Sequence, residues 1–80
     1  MRLDKYLKVS RIIKRRTVAN EACDAGRVLV NGKTARASYD VKVNDVLEIH
    51  FGSNTVRYQV LTVSEHATKE SAGEMYTIIR

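Results

Sequence analysis

The chain has 80 residues, with 14 lysines and arginines against 9 acidic residues, a net charge of +5 and a hydrophobic fraction of 44 %. This size is typical of one domain, residues 1–80, and leaves little room for a deep active-site cleft. The hydrophobic content argues against disorder, and no apolar run is long enough to span a membrane. We therefore expect a folded cytoplasmic domain with no membrane partner.

Positive charge is concentrated at the amino terminus, where seven cations stand within residues 1–16 against a single acid, Asp4. The cations are Arg2, Lys5, Lys8, Arg11, Lys14, Arg15 and Arg16. Clustered lysines and arginines bind polyanions by neutralising phosphates and releasing counterions. The segment therefore predicts a nucleic-acid-binding surface, and the alternative is an ordinary solvated face.

A first short helix is predicted within residues 3–10. Leu3, Tyr6 and Leu7 recur there at helical spacing, with charged residues on the opposite side. Residues 11–16 predict a turn whose two isoleucines point inward while its cations point outward.

A second helix is expected to begin near Thr17 and to end at Gly26, which can adopt the left-handed conformation that stops a helix. We expect Val18, Ala22 and Ala25 to share one face. Such a face of small side chains would let the two helices approach closely.

After the helices the hydrophobic period changes from 3.6 to 2, which is typical of strands. Asn31-Gly32 predicts a tight hairpin, and Leu47, Ile49 and Phe51 are expected to share one face of a later strand, with Glu48 and His50 on the other. Further strands are predicted at residues 56–60 and 76–79, separated by a solvated loop at residues 64–74. The predicted fold class is α+β, with an αα-hairpin packed on a small, bent antiparallel sheet.

Asp4 is the exception within the basic segment, and two interpretations of it remain open. It is either an i,i+4 partner of Lys8 or a helix-start acid that complements the helix dipole. Alternatively, it accepts hydrogen bonds from Arg16 or another nearby arginine and holds that guanidinium toward RNA.

Other residues extend the predicted binding surface. Four later cations follow the helices: Arg27, Lys33, Arg36 and Lys42. Tyr6 and Tyr39 are candidates for stacking on unpaired bases, although the helical spacing of Tyr6 with Leu3 favours a core position.

No catalytic or metal-binding constellation emerges from the sequence. Cys23 has no partner for an internal disulfide and stands in an alanine-rich helix, where a packing role is expected. His50 and His66 lack companions at the spacing of a zinc site or a nucleophilic triad. We therefore expect a binding protein without a cofactor, metal or enzymatic activity.

Several stretches within residues 2–51 together resemble the S4-type RNA-binding domain, also called the alpha-L motif. They are RLD at residues 2–4 with Leu7, RTVA at 16–19, GRVLVNG at 26–32 and VKVNDVLEI at 41–49. Asn44 stands where the family usually has Gly, and we expect the turn to persist because Asn tolerates a left-handed backbone. The resemblance implies that Arg2, Asp4 and Arg16 face RNA.

Within this family the chain is similar to the stand-alone ribosome quality-control members. That similarity implies a monomer that binds large-subunit ribosomal RNA and peptidyl-tRNA on an obstructed subunit. It also implies a partner that adds alanine tails without a template. The alternatives are a factor for ribosomal subunit recycling or assembly, an RNA-modifying enzyme, and a protein-binding sheet module.

Overall fold

The computed structural model describes residues 1–65 and 68–79, and in these ranges two helices precede a five-stranded antiparallel sheet. The elements are α1 (Leu3–Val9), α2 (Arg16–Asp24), β1 (Val28–Val30), β2 (Lys33–Thr34), β3 (Val46–Phe51), β4 (Asn54–Val60), α3 (Lys69–Ala72) and β5 (Tyr76–Ile79). The strands lie in the order β2-β1-β3-β4-β5. The predicted α+β class is confirmed, while His66 lies outside the described residues.

Helix α1 forms one side of the core. Leu3, Tyr6 and Leu7 are fully buried, as the helical spacing predicted, and the Tyr6 hydroxyl donates a hydrogen bond to the Met75 carbonyl at 2.8 Å. Tyr6 is therefore a core residue that joins α1 to the entry of β5. No helix in the described ranges has the length and apolar character needed to cross a membrane.

Helix α2 packs through a different face from the one that its sequence suggested. Ala19 and Cys23 are buried, whereas Val18 is 47 % exposed and Ala25 is also exposed. The prediction that the face of Val18, Ala22 and Ala25 packs against α1 was wrong, because contacts with α1 and β1 set the rotation of the helix about its axis. Small side chains still line the contact, as Ala19 and Cys23 are one helical turn apart.

Local turn chemistry follows the predictions closely. Gly26 has a φ of 76° directly after α2, and Asn31 and Gly32 have φ values of 52° and 86° between β1 and β2. These are the left-handed conformations that a helix stop and a two-residue hairpin require. Asn44 also adopts a positive φ, 76°, so the predicted turn at this position is confirmed.

The predicted alternation along β3 is confirmed, and its apolar face meets the core over part of its length. Leu47 and Ile49 are buried, whereas Phe51 is 40 % exposed. Phe51 stands at the last position of β3, beyond the hydrophobic core cluster that includes the other two residues.

The segment at residues 64–74 is not wholly a loop. It contains α3, which begins with a capping box in which the Thr68 amide donates to Ser71 Oγ at 2.8 Å and the Ser71 amide donates to Thr68 Oγ1 at 3.2 Å. Ala72 is buried at its end. The hydrophobic pattern did not predict α3, because the buried side chain at its end, Ala72, is small.

Candidate nucleic-acid interface

Asp4 is the buried centre of a cluster of cationic and polar groups. Its side chain is 3 % exposed, and Oδ1 accepts hydrogen bonds from Arg2 Nε at 3.1 Å and from the Lys5 backbone N–H at 2.8 Å. Oδ2 accepts from Asn20 Nδ2 at 3.2 Å and lies 3.4 Å from Arg16 Nε. One carboxylate thus holds two guanidinium groups that are fourteen positions apart in sequence.

The helices and the loop before β3 position this carboxylate. Asp4 lies in the first turn of α1, and its amide donates to the Ala37 carbonyl at 3.2 Å. Arg16 and Asn20 stand one turn apart on α2, so both side chains project on the same side of that helix. The packing of α1 against α2 therefore completes the cluster.

Electrostatics keep Asp4 ionised. Burial by itself would raise its pKa, but hydrogen bonds from Arg2, Asn20, Arg16 and the Lys5 amide outweigh that effect and lower the pKa to about 2. The carboxylate is therefore charged at neutral pH. It offsets half of the charge of the two guanidiniums, so the cluster of Arg2, Asp4 and Arg16 remains positive.

The two arginines are held in place yet still face solvent. The Arg2 side chain is 50 % exposed and the Arg16 side chain is 49 % exposed. A guanidinium has five N–H donors in a rigid fork, and Asp4 occupies only some of them. The remaining donors are available to an oxyanion such as a phosphate.

Of the two interpretations of Asp4, the structure supports the contact with arginine. The predicted pairing with Arg16 is confirmed, and Asp4 also lies at the start of a helix, as the other interpretation held. Lys8 is exposed and is not among the partners of Asp4 in the described part of the chain.

The other cations of the amino-terminal segment lie at the surface. Lys5 Nζ pairs with Glu65 Oε1 at 3.6 Å. Within residues 1–65 and 68–79 the remaining four make no ion pair and are exposed: Lys8, Arg11, Lys14 and Arg15. Arg11 has a φ of 64°, which marks the reversal of the chain between the two helices. Asp4 links Arg2 to Arg16, whereas Lys8, Arg11, Lys14 and Arg15 remain available for long-range attraction.

Three of the four later cations fall on two separate surfaces, and Lys42 is exposed in the loop before β3. Lys33 and Arg36 line a groove of about 660 Å³ beside the β1–β2 hairpin, together with Tyr39. The Tyr39 hydroxyl donates to Asp45 Oδ2 at 2.9 Å, which fixes the position of the ring. Arg27 instead lines an apolar groove between α2 and the end of β3.

Asn20 is a member of the cluster that the sequence analysis missed. It donates to the same carboxylate oxygen that Arg16 approaches, and it lines a shallow depression with Asp4, Arg16 and Thr17. Its spacing of four residues from Arg16 was the available signal, because i and i+4 side chains share a helix face.

The described residues contain no group of three or more histidine, cysteine or acidic side chains that could hold a metal ion. Cys23 is buried, and this burial, reinforced by nearby acids, raises the pKa of its thiol to about 11. A thiol with such a pKa stays protonated at neutral pH and is a poor nucleophile. Cys23 therefore serves packing, as predicted.

Comparison with known proteins agrees with this geometry. The S4 domain model matches residues 1–47. A Streptococcus pneumoniae protein named RQC P-site tRNA stabilizing factor is 58 % identical over 79 residues, covering 99 % of this chain and 90 % of that protein. The Bacillus subtilis protein of the same name is 52 % identical over 80 residues, covering 100 % of this chain and 93 % of that protein.

A solved structure supports the same assignment. The trimeric heat shock protein 15 of Vibrio cholerae superimposes with a TM-score of 0.90 at 25 % identity, covering 99 % of this chain and 81 % of that one. Sequence and fold therefore agree: the chain belongs to the S4-domain family, in the branch that includes the RQC P-site tRNA stabilizing factors.

Proposed function

We propose that the chain is an RNA-binding factor of ribosome-associated quality control. It binds obstructed large ribosomal subunits that carry peptidyl-tRNA, contacts ribosomal RNA and the tRNA, and holds the tRNA in position. The observation that carries this proposal is the Asp4 carboxylate, which holds the half-exposed guanidiniums of Arg2 and Arg16. The names of the relatives point to the same process.

Recognition would depend on the spacing of phosphates rather than on base sequence. Folded RNA hides its base edges in a deep, narrow major groove, so a rigid protein surface reads the backbone more easily. Arg2 and Arg16 are suited to this task because Asp4 restricts their rotamers before RNA arrives. The two arginine side chains therefore lose their conformational entropy during folding and not during binding.

Further cations would strengthen this contact. We propose that Lys5, Lys8, Arg11, Lys14 and Arg15 add phosphate contacts around the Asp4 cluster. Lys33 and Arg36 would contact RNA from the groove beside the hairpin. If about five phosphates are neutralised, affinity should fall by roughly 2–3 decades between 50 and 200 mM salt.

The chain would act by binding and not by catalysis. A protonated, buried Cys23 thiol supports this role. Holding a peptidyl-tRNA in one position would assist a partner that adds alanine residues to the stalled peptide without a template. We further propose that it works as a monomer, because a net charge of +5 opposes self-association.

Substitution of Arg16 tests the proposal. Arg16→Ala should weaken binding to purified large subunits that carry peptidyl-tRNA by about 10- to 100-fold, since a charge-assisted hydrogen bond is lost. Arg57→Ala is the matched control, because it removes one exposed cation that pairs with Glu48 on the sheet. Circular dichroism should show both variants folded.

Two outcomes would contradict the proposal. Equal affinities for Arg16→Ala and Arg57→Ala would show that net charge alone drives binding. Preferential binding to free ribosomal RNA or to assembly intermediates would favour a factor for subunit recycling or assembly instead.

A further inference from the structure

An apolar groove of about 400 Å³ lies on another side of α2, and RNA binding gives it no role. Its walls come from the α1–α2 turn, from α2 and from the end of β3. The residues that matter here are Ile12, Val18, Ala22, Phe51 and Arg27. The end of β3 is distant in sequence from α2, so the groove is a product of the tertiary fold.

Two large apolar side chains in this groove are exposed to solvent. Val18 is 47 % exposed and Phe51 is 40 % exposed. An 80-residue domain needs most of its large apolar side chains for its core, so these two exposed positions stand out. Single exposed apolar residues are common and need no explanation. Two of them on opposite walls of one groove form a contiguous apolar patch, which is typical of an interaction site.

Helix α2 separates this groove from the Asp4 cluster. Arg16 and Val18 are two residues apart, which rotates their side chains by about 200° around the helix axis. Asn20 and Ala22 repeat the same division one turn later, since Asn20 contacts Asp4 and Ala22 lines the groove. Both surfaces are therefore accessible at the same time.

The charge at the rim identifies the kind of occupant. Arg27 is exposed, and it has no ion pair within the described ranges. His50, also at the rim, is already hydrogen-bonded to Glu48 Oε2 at 3.1 Å and lies 3.2 Å from Thr55 Oγ1. The unsatisfied charge is therefore positive, which favours an acidic partner and disfavours a second copy of a chain with net charge +5.

The walls of the groove limit further which class of partner can bind there. Most of the walls are aliphatic, and Phe51 and Arg27 offer a base only one aromatic ring and one guanidinium. A run of unpaired bases needs several such platforms to stack on, so the groove favours an apolar side chain. Strand addition has little free backbone here, because β4 pairs with β3 as far as Phe51 and the His50 amide already donates to the Arg27 carbonyl at 2.9 Å. What fits is a helix that lays an apolar stripe into the groove.

We propose that this groove docks an acidic amphipathic helix of a partner protein, with an apolar side chain between Val18 and Phe51 and a carboxylate against Arg27. This inference goes beyond the proposed function, since it adds a protein-binding surface that operates while the Asp4 cluster holds RNA. It also gives Arg27 a role different from the RNA contact that its sequence position predicted.

The test uses the full chain labelled with ¹⁵N and a designed helical peptide of about 14 residues, with a leucine stripe flanked by glutamates. We expect amide shifts at Val18, Phe51 and Gly52 and none at Asp4. A peptide with the same leucines and flanking lysines should bind at least about tenfold more weakly, and Arg27→Glu should reverse this preference.

Matched variants separate docking from nonspecific attraction. Val18→Ser should weaken binding of the glutamate peptide at least about fivefold, whereas Ile78→Ser, at an exposed apolar residue outside the groove, should not. If Val18→Ser fails to fold by circular dichroism, Phe51→Ser replaces it. RNA affinity should stay within about twofold of the parent chain for Val18→Ser, Phe51→Ser and Ile78→Ser, since these changes alter no charge and do not touch the Asp4 cluster.

Three results would overturn the inference. They are an absence of shifts at millimolar peptide, equal binding of the glutamate and lysine peptides, and shifts centred on Arg2 and Arg16. The last result would mean that the peptide acts only as a polyanion. None of them would weaken the proposed RNA-binding function, which rests on the Arg16 variant.

Discussion

Replacement of Asp4 by asparagine removes the charge at the centre of the cluster while keeping the size of the side chain. The carboxylate is buried, and its hydrogen-bond donors come from four residues, which are Arg2, Lys5, Asn20 and Arg16. Asp4→Asn leaves two guanidiniums next to a neutral amide. The variant therefore tests both the stability of the helical hairpin and the positioning of the arginines.

The expected cost follows from the pKa of this group. Its fall from the ordinary value of 3.8 to about 2 corresponds to about 2 kcal/mol of folding free energy at neutral pH. For a domain of this size that loss lowers Tm by about 10 °C. Asp24→Asn is the control, because Asp24 is exposed and makes no ion pair among the residues described.

The difference in stability between the parent chain and Asp4→Asn should decrease as the pH falls. The folded-state pKa of Asp4 is depressed, so its contribution is complete above the unfolded pKa near 4 and is lost as the pH falls toward 2. Thermal or urea unfolding of both proteins between pH 7 and pH 2 measures this. The difference between the parent chain and Asp4→Asn should shrink to below about 0.5 kcal/mol near pH 2.

RNA affinity distinguishes more clearly between a positioning role for Asp4 and attraction by charge alone. Asp4→Asn raises the local positive charge, so attraction by charge alone predicts tighter binding. If Asp4 positions Arg2 and Arg16, the freed side chains regain up to about 2 kcal/mol of rotamer entropy each, and affinity falls by about tenfold. Tighter RNA binding, or a stability loss that is the same at pH 7 and pH 2, would refute the reasoning.

Three further predictions concern the core. Leu7→Ala should destabilise the domain by about 2–5 kcal/mol in urea unfolding, and a nearly neutral result would contradict the burial of that face of α1. Tyr6→Phe should cost about 1–3 kcal/mol, because the Met75 carbonyl loses its donor in a buried setting. Alkylation of Cys23 by iodoacetamide at pH 8 should be much slower in the native chain than in urea, since its thiol is buried with a pKa of about 11; equal rates would show an open site.

Predictions from sequence succeeded where the cause was local. Gly26, Asn31 and Gly32 stop or turn the backbone because few other residues accept a positive φ, and all three adopt it. They failed where burial depended on a distant contact. Nothing in the spacing of α2 distinguishes Val18 from Ala19, yet the second is buried and the first is exposed.

The amino-acid sequence by itself determined the order of α1, α2 and the strands, the tight turns and the concentration of cations at one end. Each of these depends on residue type and near neighbours, so it can be predicted without knowledge of tertiary contacts. The tertiary structure alone decided that Asp4 is buried with Arg2, Arg16 and Asn20 around it, and that Arg27 lies in a different groove from Lys33 and Arg36. Those outcomes depend on how α2 is rotated against α1 and the sheet, which is set by the packing of the whole core.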